Sequence, residues 1–226
     1  MKILAMDGIR VGLSDKTDGN MKVIDPDDMV QTELSRQRFL GAMGLNNKST
    51  YFVRVSFDTD DFCQFMEADE ENGLWLGGKV KRCDGLLTTR KGVGLFLPLA
   101  DCLGMVLYDK RNAAIMVVHC GRHTVLQDGA YKAVQYMMEA AGTKPEDVLA
   151  WLSPSAGKGN YPIYDLGGIS LQEAVIEQLM RAGVDEMNTQ MSDVDTTTHE
   201  HYFSHSQGDK RDRFAIVAVI DESSVK

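Results

Sequence analysis

Four short apolar runs follow one another closely in the middle of the chain, at residues 85–88, 93–100, 105–108 and 113–118. Each run is too short for a typical helix, and turn-forming or charged residues separate the runs, which is the pattern of β-strands joined by tight connections. Strands joined in this way pair as antiparallel hairpins. We therefore predict an α+β fold in which mixed, largely antiparallel β-sheets pack with helices in layers.

Three longer segments carry the spacing of amphipathic helices, at residues 25–43, 123–141 and 169–182. Asp25 begins an Asp-Pro-Asp-Asp segment that is typical of a helix start. A glycine follows each of the three segments, as is common at the end of a helix. Further strands are predicted at residues 2–6, 51–56, 148–152, 187–191 and 214–220. Without a repeat or a long linker, residues 1–226 are expected to form a single domain.

The amino-acid composition indicates which kinds of partner this chain is able to bind. A formal net charge of -9 opposes binding to phosphate backbones and to anionic lipid surfaces. No apolar run approaches the roughly 20 residues of a membrane span, and the charged N-terminal segment is unlike a signal peptide. The four cysteines show no paired pattern, which is typical of reduced thiols. We expect a cytoplasmic monomer or homodimer that acts on a small molecule, with no nucleic acid or membrane partner.

Two residues with reactive or metal-binding side chains, Cys102 and His119, each follow or end one of the apolar runs. A two-residue loop between Asp109 and Asn112 would bring Cys102 opposite His119 in a hairpin. A cysteine and a histidine that meet in this way can act as a nucleophile with its base or as two ligands of a metal ion. A buried free cysteine near an unrelated histidine fits the same spacing. The spacing alone leaves these three interpretations open.

Several short motifs along the chain are informative through their order. They are Cys83-Asp84-Gly85-Leu86-Leu87-Thr88, Ala100-Asp101-Cys102, His119-Cys120-Gly121, residues 150–154, Tyr164-Asp165-Leu166, residues 178–184, Tyr202-Phe203-Ser204 and Arg213. Their order and spacing resemble the family of bacterial laccase-domain proteins, which is also called the multicopper polyphenol oxidase or purine nucleoside phosphorylase family. The resemblance implies a metal-dependent enzyme that acts on purine nucleosides by phosphorolysis and/or deamination, with nucleoside and phosphate as substrates.

The resemblance also implies a metal site. In that family, two histidines and one cysteine hold a metal ion, usually zinc, and Cys102 and His119 stand at two of these positions. Ser56 stands at the position of the first histidine. Asp58 is the nearest residue able to replace it, because residues two apart share a strand face and a carboxylate can bind zinc. The implied ligands are therefore Asp58, Cys102 and His119, with zinc as the metal and copper or no metal as alternatives.

The surroundings of these positions differ from the family pattern. Where the family has Trp-Arg-Gly after the histidine, this chain has Arg122-His123-Thr124. We predict that Arg122 or Arg213 holds phosphate and that His123 is a substitute ligand, a base or a substrate contact. Ser204 is a further candidate for substrate binding, because its Tyr-Phe-Ser segment borders the pocket in the family. The site is thus expected in the family position with altered neighbours.

Two other functions fit the same residues. In a metal-free hydrolase or deamidase, Cys102 would be the nucleophile, His119 its base, and Asp101 or Asp58 the orienting group. In a degenerate member of the family, the altered site would bind a ligand without catalysis. A copper polyphenol oxidase is disfavoured, because five histidines without the first family ligand cannot build the several copper centres that oxygen reduction needs.

Overall fold

The computed structural model describes residues 1–6, 8–22, 29–55, 57, 59–69 and 82–221. In chain order, its strands are β1 (Lys2–Met6), β2 (Ile9–Leu13), β3 (Thr50–Phe52), β4 (Phe65–Glu67), β5 (Gly85–Thr88), β6 (Gly94–Leu99), β7 (Leu103–Asp109), β8 (Ala114–Cys120), β9 (Val148–Leu152), β10 (Thr189–Met191) and β11 (Phe214–Ile220). Its α-helices are α1 (Met29–Ala42), α2 (Arg122–Leu126), α3 (Gly129–Ala141) and α4 (Leu171–Arg181).

The strands form two sheets. The first has the order β1-β2-β11-β6-β3 and is antiparallel except where β3 joins β6. The second has the order β10-β9-β7-β8-β5-β4; it is antiparallel in the centre and parallel at both edges. This arrangement confirms the predicted α+β fold of mixed, largely antiparallel sheets.

The two sheets pack face to face between helices. Successive residues of a strand point to opposite faces, so Val106 of β7 enters the core between the sheets, whereas its neighbour Met105 faces α3 and α4. In the first sheet, Val217 of β11 faces outward and shares a third cluster with Phe39 of α1. The result is four layers, in the order helix, sheet, sheet, helices. Because both faces of the central strands are buried, their sequences are continuous apolar runs.

The hairpin of β7 and β8 has a four-residue loop, so the predicted two-residue loop is wrong. Asp109 pairs with Ala114. The Asp109 carboxylate accepts hydrogen bonds from two backbone N–H groups of the loop, at 2.9 and 3.1 Å, and the last loop residue has a φ of 48°. The register is displaced by two residues, and Gly104 rather than Cys102 lies opposite His119. A displacement of two residues keeps every side chain on its predicted face.

The helix predicted at residues 123–141 is instead two helices, α2 and α3. Asp128 separates them with a left-handed backbone conformation, φ 60°, which aspartate tolerates better than most residues. The next residue, Gly129, packs closely on α2, because a Cβ added there would lie 2.3 Å from Thr124 Cγ2. The break directs α3 back along the second sheet.

Other boundaries differ less. The predicted start of the first helix at Asp25 lies outside the described residues. Of the described residues in the strand predicted at 51–56, only Tyr51 and Phe52 belong to a strand, β3. Strands β2 and β4 have no counterpart among the predictions. In β2, an arginine and a glycine interrupt the apolar pattern, and β4 has three residues. Among the helices of the described ranges, none is long and apolar enough to cross a membrane.

Candidate active site at the junction of the two sheets

Cys102 lies where the chain passes from β6 of the first sheet to β7 of the second. The preceding residue, Asp101, is buried and has a φ of 75°. Its carboxylate accepts hydrogen bonds from Thr196 Oγ1 at 2.9 Å and from the Ser206 N–H at 2.7 Å. Its carbonyl accepts a third from the Ala156 N–H at 2.8 Å. Asp101 therefore holds the crossover and two neighbouring loops together, which sets the position of the Cys102 thiol.

His119 lies near the end of β8 and reaches the same place. Its side chain is 7% exposed. A Cβ added to Gly121 would lie 2.9 Å from His119 Cε1 and 3.3 Å from each of His119 Nε2 and Cys102 Sγ. The thiol and Nε2 therefore border one small gap, which exists because residue 121 has no side chain. The structure brings together the two residues that the spacing singled out.

This gap opens into a pocket of about 130 Å³ with aromatic walls. Phe62 stacks on His123 with ring centroids 4.5 Å apart and an angle of 20°. The Arg122 guanidinium lies over the Tyr161 ring, 5.1 Å from its centroid. The rings of Phe57 and His119 are nearly perpendicular, with centroids 6.4 Å apart. Two predicted substrate residues, Arg122 and His123, thus line the pocket beside flat apolar surfaces.

The thiol and the imidazole are both uncharged at neutral pH. Burial, reinforced by the nearby Asp101 charge, raises the pKa of Cys102 to about 11, although Arg213 and Lys22 oppose the shift. Burial lowers the pKa of His119 to about 4, and the positive charge of Lys22 acts in the same direction. A nucleophilic cysteine needs a thiolate. In this state the thiol is a weak nucleophile, although it still has a proton to donate and the imidazole can still accept one.

Among the described residues, the carboxylate that pairs with the His119 ring is that of Asp84. It is buried just before β5, and its Oδ1 lies 4.0 Å from His119 Nδ1. Its Oδ2 accepts a hydrogen bond from the Gln64 N–H at 3.2 Å. Burial raises the pKa of Asp84 to about 6. Asp101, one of the two predicted orienting groups, accepts hydrogen bonds from Thr196 and Ser206 instead. The sequence signal for Asp84 was an acidic residue directly before an apolar run.

Two basic side chains, Lys22 and Arg213, act on the Cys102 thiol with their positive charges. The Met21 N–H donates to the Arg213 carbonyl at 2.8 Å, which places the segment that carries Lys22 next to Arg213. Burial lowers the pKa of Lys22, and repulsion from Arg213 and Arg54 lowers it further, whereas Cys102 raises it. A bound anion would relieve this repulsion. Sequence reasoning identified Arg213 but missed Lys22, which is distant in the chain.

The remaining predicted residues are placed as follows. Ser204 is buried; its N–H donates to Asp209 Oδ2 at 2.9 Å, and its Oγ lies 3.2 Å from Ser206 Oγ. It therefore supports the loop that bonds to Asp101 and does not itself line the pocket. Asp58, the predicted third metal ligand, lies outside the described residues, as does Ser56. Within the described ranges, no three His, Cys, Asp or Glu side chains form a group suited to a metal ion.

Known proteins are similar to this chain in sequence and in fold. A family model described as multi-copper polyphenol oxidoreductase laccase matches residues 7–166. A purine nucleoside phosphorylase of Corynebacterium glutamicum is 28% identical over 138 residues, which are 61% of this chain and 53% of that protein. The purine nucleoside phosphorylase YlmD of Bacillus subtilis is 34% identical over 87 residues, which are 38% of this chain and 31% of that protein. The matches thus span about half, or less, of these relatives.

Two solved structures share the fold along nearly the whole chain. The hypothetical protein YfiH of Bacillus licheniformis has a TM-score of 0.84 at 17% identity and covers 94% of this chain and 93% of its own. YlmD of Geobacillus stearothermophilus has a TM-score of 0.83 at 20% identity, with 95% and 93% covered. The family model includes the segments that carry Cys102 and His119, and it confirms the resemblance drawn from the motifs. The chain belongs to the multi-copper polyphenol oxidoreductase laccase family.

Proposed function

We propose that this chain binds purine nucleosides in the pocket beside Cys102 and His119 and processes them by phosphorolysis, deamination or both. One observation carries the proposal: the thiol and the imidazole Nε2 border the same gap at Gly121, inside a pocket with aromatic walls. Rings such as Phe62 and Tyr161 offer flat surfaces on which a purine can stack. The relatives named purine nucleoside phosphorylases support this choice of substrate class.

Cys102 and His119 would move protons in either reaction. In phosphorolysis, a phosphate oxygen bonds to the anomeric carbon, the glycosidic C–N bond breaks, and the departing purine gains a proton. The Cys102 thiol holds its proton at neutral pH, because its pKa is raised to about 11, and it can donate that proton. In deamination, water adds to the purine C6 and Nε2 of neutral His119 can accept the water proton. That proton then passes to the amino group as the C6–N bond breaks and ammonia leaves.

The positive charges near Cys102 would hold the phosphate. The charges of Lys22 and Arg213 oppose the rise in the pKa of the Cys102 thiol, and we propose that they attract the phosphate to the Cys102 side of the gap. Arg122 approaches from the pocket wall. Guanidinium groups bind phosphate oxygens in pairs, and a lysine adds a mobile point charge. Their placement supports phosphate as the second substrate.

We also propose that the reaction depends on a zinc ion. Cys102 and His119 offer two donors, and in the described part of the chain no third metal-binding side chain groups with them. A catalytic zinc site has three protein ligands, so these residues alone do not fit a zinc ion. We propose Asp58, outside the described residues, as the third ligand. Zinc binding would require Cys102 as the thiolate and Nε2 of His119 as a ligand, so the proton transfers above apply only to the chain without zinc and are the alternative to a zinc-dependent reaction.

Turnover of adenosine, inosine and guanosine in phosphate buffer tests the proposal. Chromatography separates free purine base, the product of phosphorolysis, from inosine formed out of adenosine, the product of deamination. We expect at least about a 100-fold loss of rate in Cys102→Ala and in His119→Ala, because general acid–base groups contribute about 10²- to 10⁴-fold. Cys63→Ala is the matched control, since burial also raises the pKa of that thiol, to about 11, but it does not line the pocket.

Elemental analysis tests the zinc part separately. We expect zinc in the wild-type protein and its loss in Asp58→Ala. Zinc-free protein that turns over nucleosides at full rate would overturn zinc dependence and leave the substrate class standing. If no nucleoside yields product, even with zinc supplied, the enzymatic proposal fails; nucleoside binding detected by calorimetry in that case would indicate a non-catalytic member of the family.

A further inference from the structure

Beside the candidate active site, two buried polar atoms face each other, and neither has a hydrogen-bond partner among the described residues. They are Oδ1 of Asp84 and Nδ1 of His119, which are 4.0 Å apart. The two side chains are 4% and 7% exposed. A buried polar atom without a partner is unfavourable and is rare in folded proteins. A small rotation of either side chain would join the two atoms in a hydrogen bond.

The backbone holds these two residues together. The His119 N–H donates to the Asp84 carbonyl at 2.7 Å, directly beyond the pairing of Gly85 with Val118 between β5 and β8. The Gln64 N–H fixes the other carboxylate oxygen of Asp84 at 3.2 Å. Oδ1 is therefore the oxygen left for the imidazole. The opposite edge of the ring, which carries Nε2, faces the gap at Gly121.

We infer that Asp84 is the positioning residue of His119: its carboxylate accepts the Nδ1–H of the neutral imidazole, so that the lone pair of Nε2 points into the pocket toward the Cys102 thiol. An isolated neutral imidazole favours the other tautomer, with the proton on Nε2. That tautomer would present a donor to the pocket and could neither accept a proton nor bind a metal there. A carboxylate at Nδ1 reverses the preference.

The consequence for catalysis rests on the proposed function, whereas the tautomer itself does not. If His119 Nε2 accepts a proton during turnover, loss of the Asp84 carboxylate lowers kcat and leaves KM nearly unchanged, because Asp84 is not part of the pocket lining. Partners that orient an imidazole in this way typically affect affinity or activity about 10- to 100-fold. We expect a decrease of that size in Asp84→Asn.

Nitrogen-15 NMR of the full chain, labelled at histidine, tests the inference without substrate. Long-range proton–nitrogen correlations at neutral pH distinguish the two tautomers, and the His119→Gln variant assigns the His119 signals. We expect the Nδ1–H form in wild-type protein and a shift toward the Nε2–H form in Asp84→Asn. The signals of the other four histidines should not change, which serves as the internal control for folding.

Either of two results would overturn the inference. One is the Nε2–H tautomer at His119 in the wild-type protein, which decides the question even if Asp84→Asn fails to fold. The other is an unchanged Nδ1–H tautomer in a folded Asp84→Asn or Asp84→Ala protein. A wild-type protein with the Nδ1–H tautomer but no nucleoside turnover would refute the proposed function and leave the role of Asp84 intact.

Discussion

Replacing Gly121 by alanine is expected to displace the candidate catalytic pair and leave the backbone unchanged. Gly121 has φ -93° and ψ 179°, a conformation that alanine adopts freely. The new Cβ would lie 2.9 Å from His119 Cε1 and 3.3 Å from both His119 Nε2 and Cys102 Sγ. Favourable contacts between such atoms are about 3.5–4.0 Å long. The imidazole, the thiol or both must therefore move by roughly 0.5–1 Å.

A movement of this size should lower the reaction rate strongly but reduce the stability of the fold only modestly. A misplacement of about 1 Å can lower a rate about 100-fold. An extra methyl group in a packed site costs about 1–3 kcal/mol, and the lower entropy of the unfolded alanine chain offsets about 0.4–1 kcal/mol of that. For Gly121→Ala we therefore expect about a 100-fold decrease in kcat/KM. The free energy of unfolding should fall by no more than about 3 kcal/mol.

The assays are nucleoside turnover and urea unfolding, with Gly41→Ala as the matched control. Gly41 is an exposed residue of α1, and a Cβ added there has no atom within 4 Å. In a helix, this change should raise the free energy of unfolding by about 0.5–1 kcal/mol and leave turnover unchanged. A folded Gly121→Ala protein with full activity would refute the view that Cys102 and His119 act together across this gap.

Three further predictions concern single groups. Because burial raises the pKa of Cys102 to about 11, its alkylation in the metal-free protein should be slow at neutral pH and accelerate about tenfold per pH unit above it; rapid, pH-independent labelling by mass spectrometry would contradict the neutral thiol. The pKa of His119 is lowered from 6.5 to about 4, so its unfolded form binds the proton more tightly, and the stability it contributes above pH 6.5 should be lost as the pH falls toward about 4. Urea midpoints of the wild type should therefore drop relative to those of His119→Gln over that window, and parallel curves would show that the imidazole is not desolvated. Ser170 Oγ accepts a hydrogen bond from the Glu173 N–H at 3.1 Å in the capping box of α4; Ser170→Ala should lower the free energy of unfolding by about 0.5–2 kcal/mol with kcat unchanged, and a loss of activity at full stability would contradict a purely structural cap.

The central strands could be predicted because burial on both faces leaves continuous apolar runs. Thus β5, β9 and β11 coincide with the predicted residues 85–88, 148–152 and 214–220. The register of the β7–β8 hairpin could not be predicted in the same way. It depends on the hydrogen bonds of the Asp109 side chain and on a left-handed residue at Ala113, and hydrophobic spacing carries no information about either.

In the candidate site, too, some residues could be predicted from the sequence and others could not. Cys102 and His119 could be identified because both lie at the ends of strands that pair with each other, and an even displacement of register preserved their faces. Asp84 could not, since its contact with His119 arises from the pairing of β5 with β8. Lys22 is brought to Cys102 by a backbone hydrogen bond from its neighbour to Arg213. Such contacts belong to the tertiary fold and leave no local pattern.

The most direct test of the central claim is the product formed from adenosine in phosphate buffer. We expect adenine together with an equal amount of ribose 1-phosphate, inosine together with ammonia, or both. We also expect the rate of product formation to fall at least about 100-fold in His119→Ala and to be unchanged in Cys63→Ala. Complete recovery of adenosine from the wild-type protein, or product formation that does not depend on His119, would contradict it.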